Sequence, residues 1–208
     1  MESNGNRDFS AEEAGGKWGY IGEDGAWVIE PRFEEAEDFS EDFGLVKSDG
    51  KWGYIDQRGA WVIAPRFKDA CVFLDRRAWV KDDSGKWGCI DQSGEWMIKP
   101  RFDYVWEWNH DEGITHVRVG DKYGCIDTSG RWVILPTFDD LTWFHKGMAV
   151  ALVGRKWGII DVAGSWILKP EWDDIETLDA NRLRAREGGL DSEWRYFDRT
   201  GKEIDGAT

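Results

Sequence analysis

A chain of 208 residues with 41% hydrophobic content has room for one large or two small domains, and no run in it approaches the apolar length of a membrane-spanning helix. The formal net charge of −14 repels phosphate backbones, so nucleic acid is disfavoured as a partner and a basic protein is favoured. Three cysteines without a CxxC pair fit a reducing compartment and give no zinc-ligand spacing. The polar opening residues carry no secretory core, so a cytoplasmic location is expected.

Taken in order, the chain repeats itself. Phe9–Gly16 aligns with Phe43–Gly50 as a degenerate strand. The stretch Gly50–Phe67, G-K-W-G-Y-I-D-Q-R-G-A-W-V-I-A-P-R-F, has counterparts at Lys17–Phe33, Lys86–Phe102, Lys122–Phe138 and Lys156–Trp172. A worn copy spans Glu193–Ile204. Counted from Trp18, Trp52, Trp87, Tyr123, Trp157 and Trp194, copies start 34, 35, 36, 34 and 37 residues apart, which is the period of a repeat architecture. Ten of the 15 Trp fall in two slots of this unit, so most of the aromatic excess is framework.

Each unit reads as strands. Lys51-Trp-Gly-Tyr-Ile is apolar and β-branched, Asp56-Gln-Arg-Gly59 is a turn with glycine last, and Trp61-Val-Ile follows, with Pro65 expected to end it. A third strand recurs at Leu45-Val-Lys, Ala78–Lys81, Ile114–Val119, Met148–Val153 and Arg182–Arg186. Gly or Pro interrupts nearly every window long enough for a helix. The expectation is an all-β single domain, 1–208, of six antiparallel three-stranded units at about 9–42, 43–76, 77–112, 113–146, 147–180 and 181–208. Polar, eroded end units favour an open, curved, solenoid-like stack over a closed β-propeller. Gly19, Gly53, Gly88, Gly124 and Gly158 have no turn around them, so each marks a bulge or a close approach, with a neighbouring ring expected over the bare backbone.

The recurring Lys-Trp-Gly-Tyr-Ile-Asp, Gly-x-Trp-Val-Ile and Pro-x-Phe-Asp/Glu resemble the bacterial WG-repeat, or KWG-repeat, proteins. The resemblance covers nearly the whole chain, with Tyr123, Gly22 and the segment after Gly201 departing from it. It implies an interaction scaffold and brings no catalytic residue set.

No motif points to catalysis. His110, His116 and His145 read as surface residues on connections, no glycine-rich phosphate loop leads into a helix, and the acidic pairs Glu34-Glu35, Asp139-Asp140 and Asp173-Asp174 are periodic, as a solvated stripe is. The residues that break the period carry more information. Trp79 reads as a core filler, whereas Trp106, Trp108 and Trp143 stand in the connections of neighbouring units. The expected partner-binding surface is Trp106, Trp108, His110, Trp143, Phe144 and His145, with Asp139 and Asp140 as its acidic rim; no catalytic, cofactor or metal residues are expected. The expected function is non-enzymatic binding of a basic protein, such as a toxin domain capped by an immunity protein. Carbohydrate binding is the alternative, since exposed indoles also suit sugar faces.

Overall fold

The computed structural model describes residues 9–106, 113–179, 181–188 and 191–205, and every helix or strand element within them is a β-strand. The chain divides into two compact units, 1–102 and 103–208. The first unit holds three sheets. They are β1 (Ser10–Ala14), β2 (Lys17–Ile21) and β3 (Trp27–Phe33); β4 (Glu35–Ala36), β5 (Gly44–Ser48), β6 (Lys51–Ile55) and β7 (Trp61–Phe67); and β8 (Asp69–Ala70), β9 (Arg77–Lys81), β10 (Trp87–Asp91) and β11 (Trp96–Phe102). The second unit also holds three. They are β12 (Tyr104–Val105), β13 (Ile114–Val119), β14 (Lys122–Asp127) and β15 (Trp132–Phe138); β16 (Asp140–Leu141), β17 (Met148–Val153), β18 (Lys156–Asp161) and β19 (Trp166–Trp172); and β20 (Asp174–Thr177), β21 (Arg182–Arg186), β22 (Arg195–Asp198) and β23 (Glu203–Ile204).

Each sheet is an antiparallel meander in chain order, and no named strand pairs outside its own sheet, so the fold is a series of repeat units with one sheet each and not a single continuous sheet. Five of the six have four strands where three were expected. The additional strand is the segment after the proline, which joins the following sheet: the Glu34 and Glu37 amides donate to the Lys47 and Leu45 carbonyls at 2.9 Å each. Sheets therefore begin near Glu35, Asp69, Tyr104, Asp140 and Asp174, earlier than the sequence periods place them.

Proline does not end its strand either. β7 runs through Pro65 to Phe67, and the register jumps from Trp52↔Phe67 to Tyr54↔Ile63. Gly53 thus faces a bulge of three residues, and proline is tolerated there because the bulge needs no amide from it. A Cβ on Gly53 would lie 2.6 Å from the Ile63 carbonyl oxygen and 2.8 Å from the Pro65 nitrogen. The close approach is therefore chiefly the partner strand's own backbone. At Gly88 and Gly158 a ring is among the nearest neighbours too, Trp96 and Trp166 coming within 2.8 and 2.5 Å.

The turns follow the sequence reading. Asp56 accepts the amides of Arg58 and Ala60 at 2.9 and 2.8 Å, and Gly59 takes φ 79°, which favours glycine. Asp91, Asp127, Asp161 and Asp198 make the same pair of bonds in later repeats.

Successive sheets within a unit lock through the aromatic after the proline. Phe33 meets Trp61 edge-on at 5.8 Å, Phe67 meets Trp96 at 6.0 Å, and Phe138 meets Trp166 at 5.6 Å. All three Phe rings are buried, each contributing on the order of 2–3 kcal/mol. Beside them Arg32 and Arg66 donate to the turn carbonyls of Gly59 and Gly94 in the next sheet, both at 2.5 Å.

One core layer explains two irregular residues. Directly opposed residues of an antiparallel pair share a face, so their volumes must sum to what the layer holds. The pairs are Ala11↔Tyr20, Leu45↔Tyr54, Trp79↔Cys89, His116↔Cys125 and Val150↔Ile159. Where Cys replaces Tyr, the third strand supplies a larger side chain. Trp79 is buried, as expected of a core filler, and meets Phe102 edge-on at 6.2 Å.

Candidate interaction site

In the second unit the irregular aromatics converge. Trp106 follows β12 and Trp143 follows β16, and their rings lie 4.9 Å apart at 59°. Tyr104, on β12, meets Trp106 edge-on at 5.7 Å. Two of the three rings are open to solvent, Trp143 at 42% and Tyr104 at 41%, while Trp106 is half-buried. Edge-to-face and tilted packing of this kind holds rings rigidly and leaves their faces and edges available.

Beneath Trp143 lies His116, stacked at 5.7 Å and 28° and meeting Phe144 edge-on at 5.5 Å. His116 is not the surface residue its sequence position implied: it sits on β13 with 1% exposure, because it fills the layer opposite Cys125. Burial drives its pKa down to about 4 and that of the Cys125 thiol up to about 12, so both are neutral at pH 7. Facing one another across the sheet, they do not form an activated thiolate–imidazole pair. Neither ring nitrogen of His116 has a hydrogen-bond partner among the described residues.

The other expected site residues separate. Phe144 is buried, not exposed: it belongs to the core cluster with Ile114, Phe138 and Leu141. The repeat already carried that signal, for Phe39 and Phe73 hold the equivalent slot and pack on Tyr20 and Tyr54 at 4.7 Å. His145 is exposed at the tight turn through Lys146 and Gly147, where it pairs through its backbone with Met148. Trp108 and His110 lie outside the described residues.

Asp139 is part of the frame. Its Oδ1 accepts from Lys122 Nζ at 2.5 Å and its Oδ2 accepts the Gly154 amide at 2.7 Å, and these bonds hold its carboxyl below the usual range. Glu34, Asp103 and Asp173 make the same bond to Gly50, Gly120 and Gly188. The first acid after the aromatic is thus a recurring turn lock at the solvated surface. Asp140 is the exposed member; its carboxylate accepts the Leu141 amide at 2.8 Å.

Sequence reasoning read His116 as a surface residue and did not single out Tyr104 as a contact residue. Tyr104 was legible as a departure, since Glu35, Asp69, Asp140 and Asp174 hold its slot elsewhere. Among the described residues no three His, Cys, Asp or Glu side chains gather as a metal site, and no helix is long and apolar enough to cross a membrane.

Fold and site together define an all-β repeat protein that presents an aromatic cluster on the loops of one unit. The chain belongs to the WG containing repeat family, whose model matches residues 18–52, 52–86, 87–123, 123–157 and 157–190. No curated relative matches it. Among solved structures it is similar to a eukaryotic initiation factor (TM-score 0.51, 12% identity), with 97% of this chain and 63% of that one covered. It therefore spans less than two thirds of that protein. It is also similar to Kluyveromyces lactis Hsv2p (TM-score 0.49, 12% identity, 86% of this chain and 73% of that one). A third similar structure is BamB from Moraxella catarrhalis (TM-score 0.44, 14% identity, 99% of this chain and 71% of that one). At 12% identity the likeness to the initiation factor is one of fold.

Proposed function

We propose that this chain is a non-enzymatic protein-binding module whose contact face is the Tyr104–Trp106–Trp143 cluster, with Asp140 on its rim and a basic protein as its partner. One observation carries the reading: the aromatics that break the repeat converge at 4.9 and 5.7 Å, with Trp143 and Tyr104 open to solvent. Rigid, part-exposed Trp and Tyr bury large area at small entropic cost, as binding hot spots do. The net charge of −14 supports a basic partner by speeding encounter. A concrete version is a cytoplasmic bacterial immunity protein that caps a basic toxin domain, with His145, Trp108 and His110 widening the contact; this version rests on charge and analogy.

The test is capture of a partner at low and high salt by the wild type and by Trp143→Ala and Asp140→Lys. The proposal expects one basic protein, held less tightly at high salt and lost from both variants. A partner indifferent to both changes contradicts it. Saturable quenching of tryptophan fluorescence by glycans, abolished in Trp143→Ala, would establish the carbohydrate reading instead.

A further inference from the structure

The charge of this protein is not spread evenly along its repeats. From Phe9 to Asp42 there are eleven Asp or Glu against two Lys or Arg, so this stretch holds −9 of the total −14. All eleven acidic residues are exposed. The same stretch contains the three-stranded sheet, whose outer strand is β1.

Comparison with the next sheet shows what β1 offers. There the short β4 covers the edge, its neighbours Glu34 and Glu37 donating to the carbonyls of Lys47 and Leu45. Lys47 lies opposite Trp52 and Leu45 opposite Tyr54. In the first sheet Glu13 lies opposite Trp18 and Ala11 opposite Tyr20. The carbonyls of Glu13 and Ala11 therefore point outward at the same two positions, and neither accepts a hydrogen bond among the described residues. Along this edge runs an open cavity of about 330 Å³ lined by Ala11, Trp18, Glu35, Ala36, Glu37 and Asp38. Asp38 accepts the Ala11 amide at 2.8 Å, which fixes one carboxylate at the edge.

We infer that β1 takes, as the fourth strand of its sheet, an extended Lys/Arg-rich segment of a protein partner. Main-chain amides of that segment donate to the Ala11 and Glu13 carbonyls, as β4 does to β5. Its alternate side chains reach the cavity, where a cation meets the Trp18 indole among the carboxylates of Glu35, Glu37 and Asp38. Glu12 and Glu13 on the edge repel a second copy of this acidic chain, so the charges that protect the edge from self-pairing also select a basic strand. The edge lies in the first unit and the aromatic cluster in the second, so the two sites are tested separately.

The experiment titrates the full-length protein into three labelled ten-residue peptides: one alternating Lys and Val, one alternating Glu and Val, and the Lys-Val peptide N-methylated at alternate residues. The Lys-Val peptide should bind. The Glu-Val peptide should not, and N-methylation should weaken binding about tenfold or more by removing the strand's donors. Glu12→Lys with Glu13→Lys should weaken it by at least about tenfold, while Trp143→Ala should leave it unchanged. Equal binding of the N-methylated peptide, or indifference to charge reversal, overturns strand addition. So does failure of the Lys-Val peptide to bind, whether residues 1–8 or a second copy seen by sedimentation takes the edge instead.

Discussion

Replacing Gly53 by alanine separates two effects of opposite sign. Gly53 is not among the residues with positive φ, so in an open site the substitution would raise stability by about 0.4–1 kcal/mol through the unfolded chain. Here the new methyl would stand 2.6 Å from the Ile63 carbonyl oxygen, 2.8 Å from the Pro65 nitrogen and 2.9 Å from the Pro65 Cα. All three are backbone atoms of a bulge whose proline fixes φ, so relief requires the hairpin to open. Overpacking of a tight site costs about 1–3 kcal/mol, and the upper end applies where backbone must move. For a chain of this size about 3 kcal/mol lowers Tm by roughly 6–12 °C. Thermal unfolding followed by near-ultraviolet circular dichroism measures the shift. A Gly53→Ala protein that melts at or above the wild-type temperature would refute the bulge as the reason for the glycine.

Two further outcomes follow from the core. Trp79→Leu with Cys89→Tyr recreates the Leu45–Tyr54 pair. Each single change should cost about 1–3 kcal/mol, one leaving a cavity and one overpacking, and the double variant should recover at least about 1 kcal/mol of the sum in urea unfolding. His116 should make stability depend on pH. Its folded pKa of about 4 lies below the ordinary 6.5, so between these values the unfolded chain binds the extra proton. Stability is then full above pH 6.5 and falls by about 3 kcal/mol as pH drops towards 4; a His116→Leu protein should lose that slope in urea midpoints measured across the same window.

The frame was legible because its physics is local and repeated. Trp, Gly and Asp at fixed offsets specify a hairpin and its turn, and six copies display the pattern against their own variation. What escaped depends on partners distant in the chain. Pro65 reads as a stop until the three-residue bulge opposite Gly53 is known. The segment after the proline reads as a short strand or turn, but only the pairing of Glu35 and Ala36 with Lys47 and Val46 shows that it joins the following sheet. Asp139 looks like surface acid until Gly154, fifteen residues on, is seen to donate to it. At the candidate site the out-of-period tryptophans pointed to the connections where the Trp106 and Trp143 rings meet. The burial of His116 was set by the layer opposite Cys125, which a linear reading does not display, whereas that of Phe144 was already signalled by Phe39 and Phe73 in the same slot.

The central functional claim is that Trp143 serves a partner and not the fold. Calorimetric titration of the captured partner into wild-type and Trp143→Ala protein, with Tm measured on the same samples, tests it most directly. The account predicts a Tm within a few degrees of wild type and an affinity at least about tenfold weaker, the loss of one hot-spot residue. Unchanged affinity, or a protein that unfolds when this ring is removed, would contradict it.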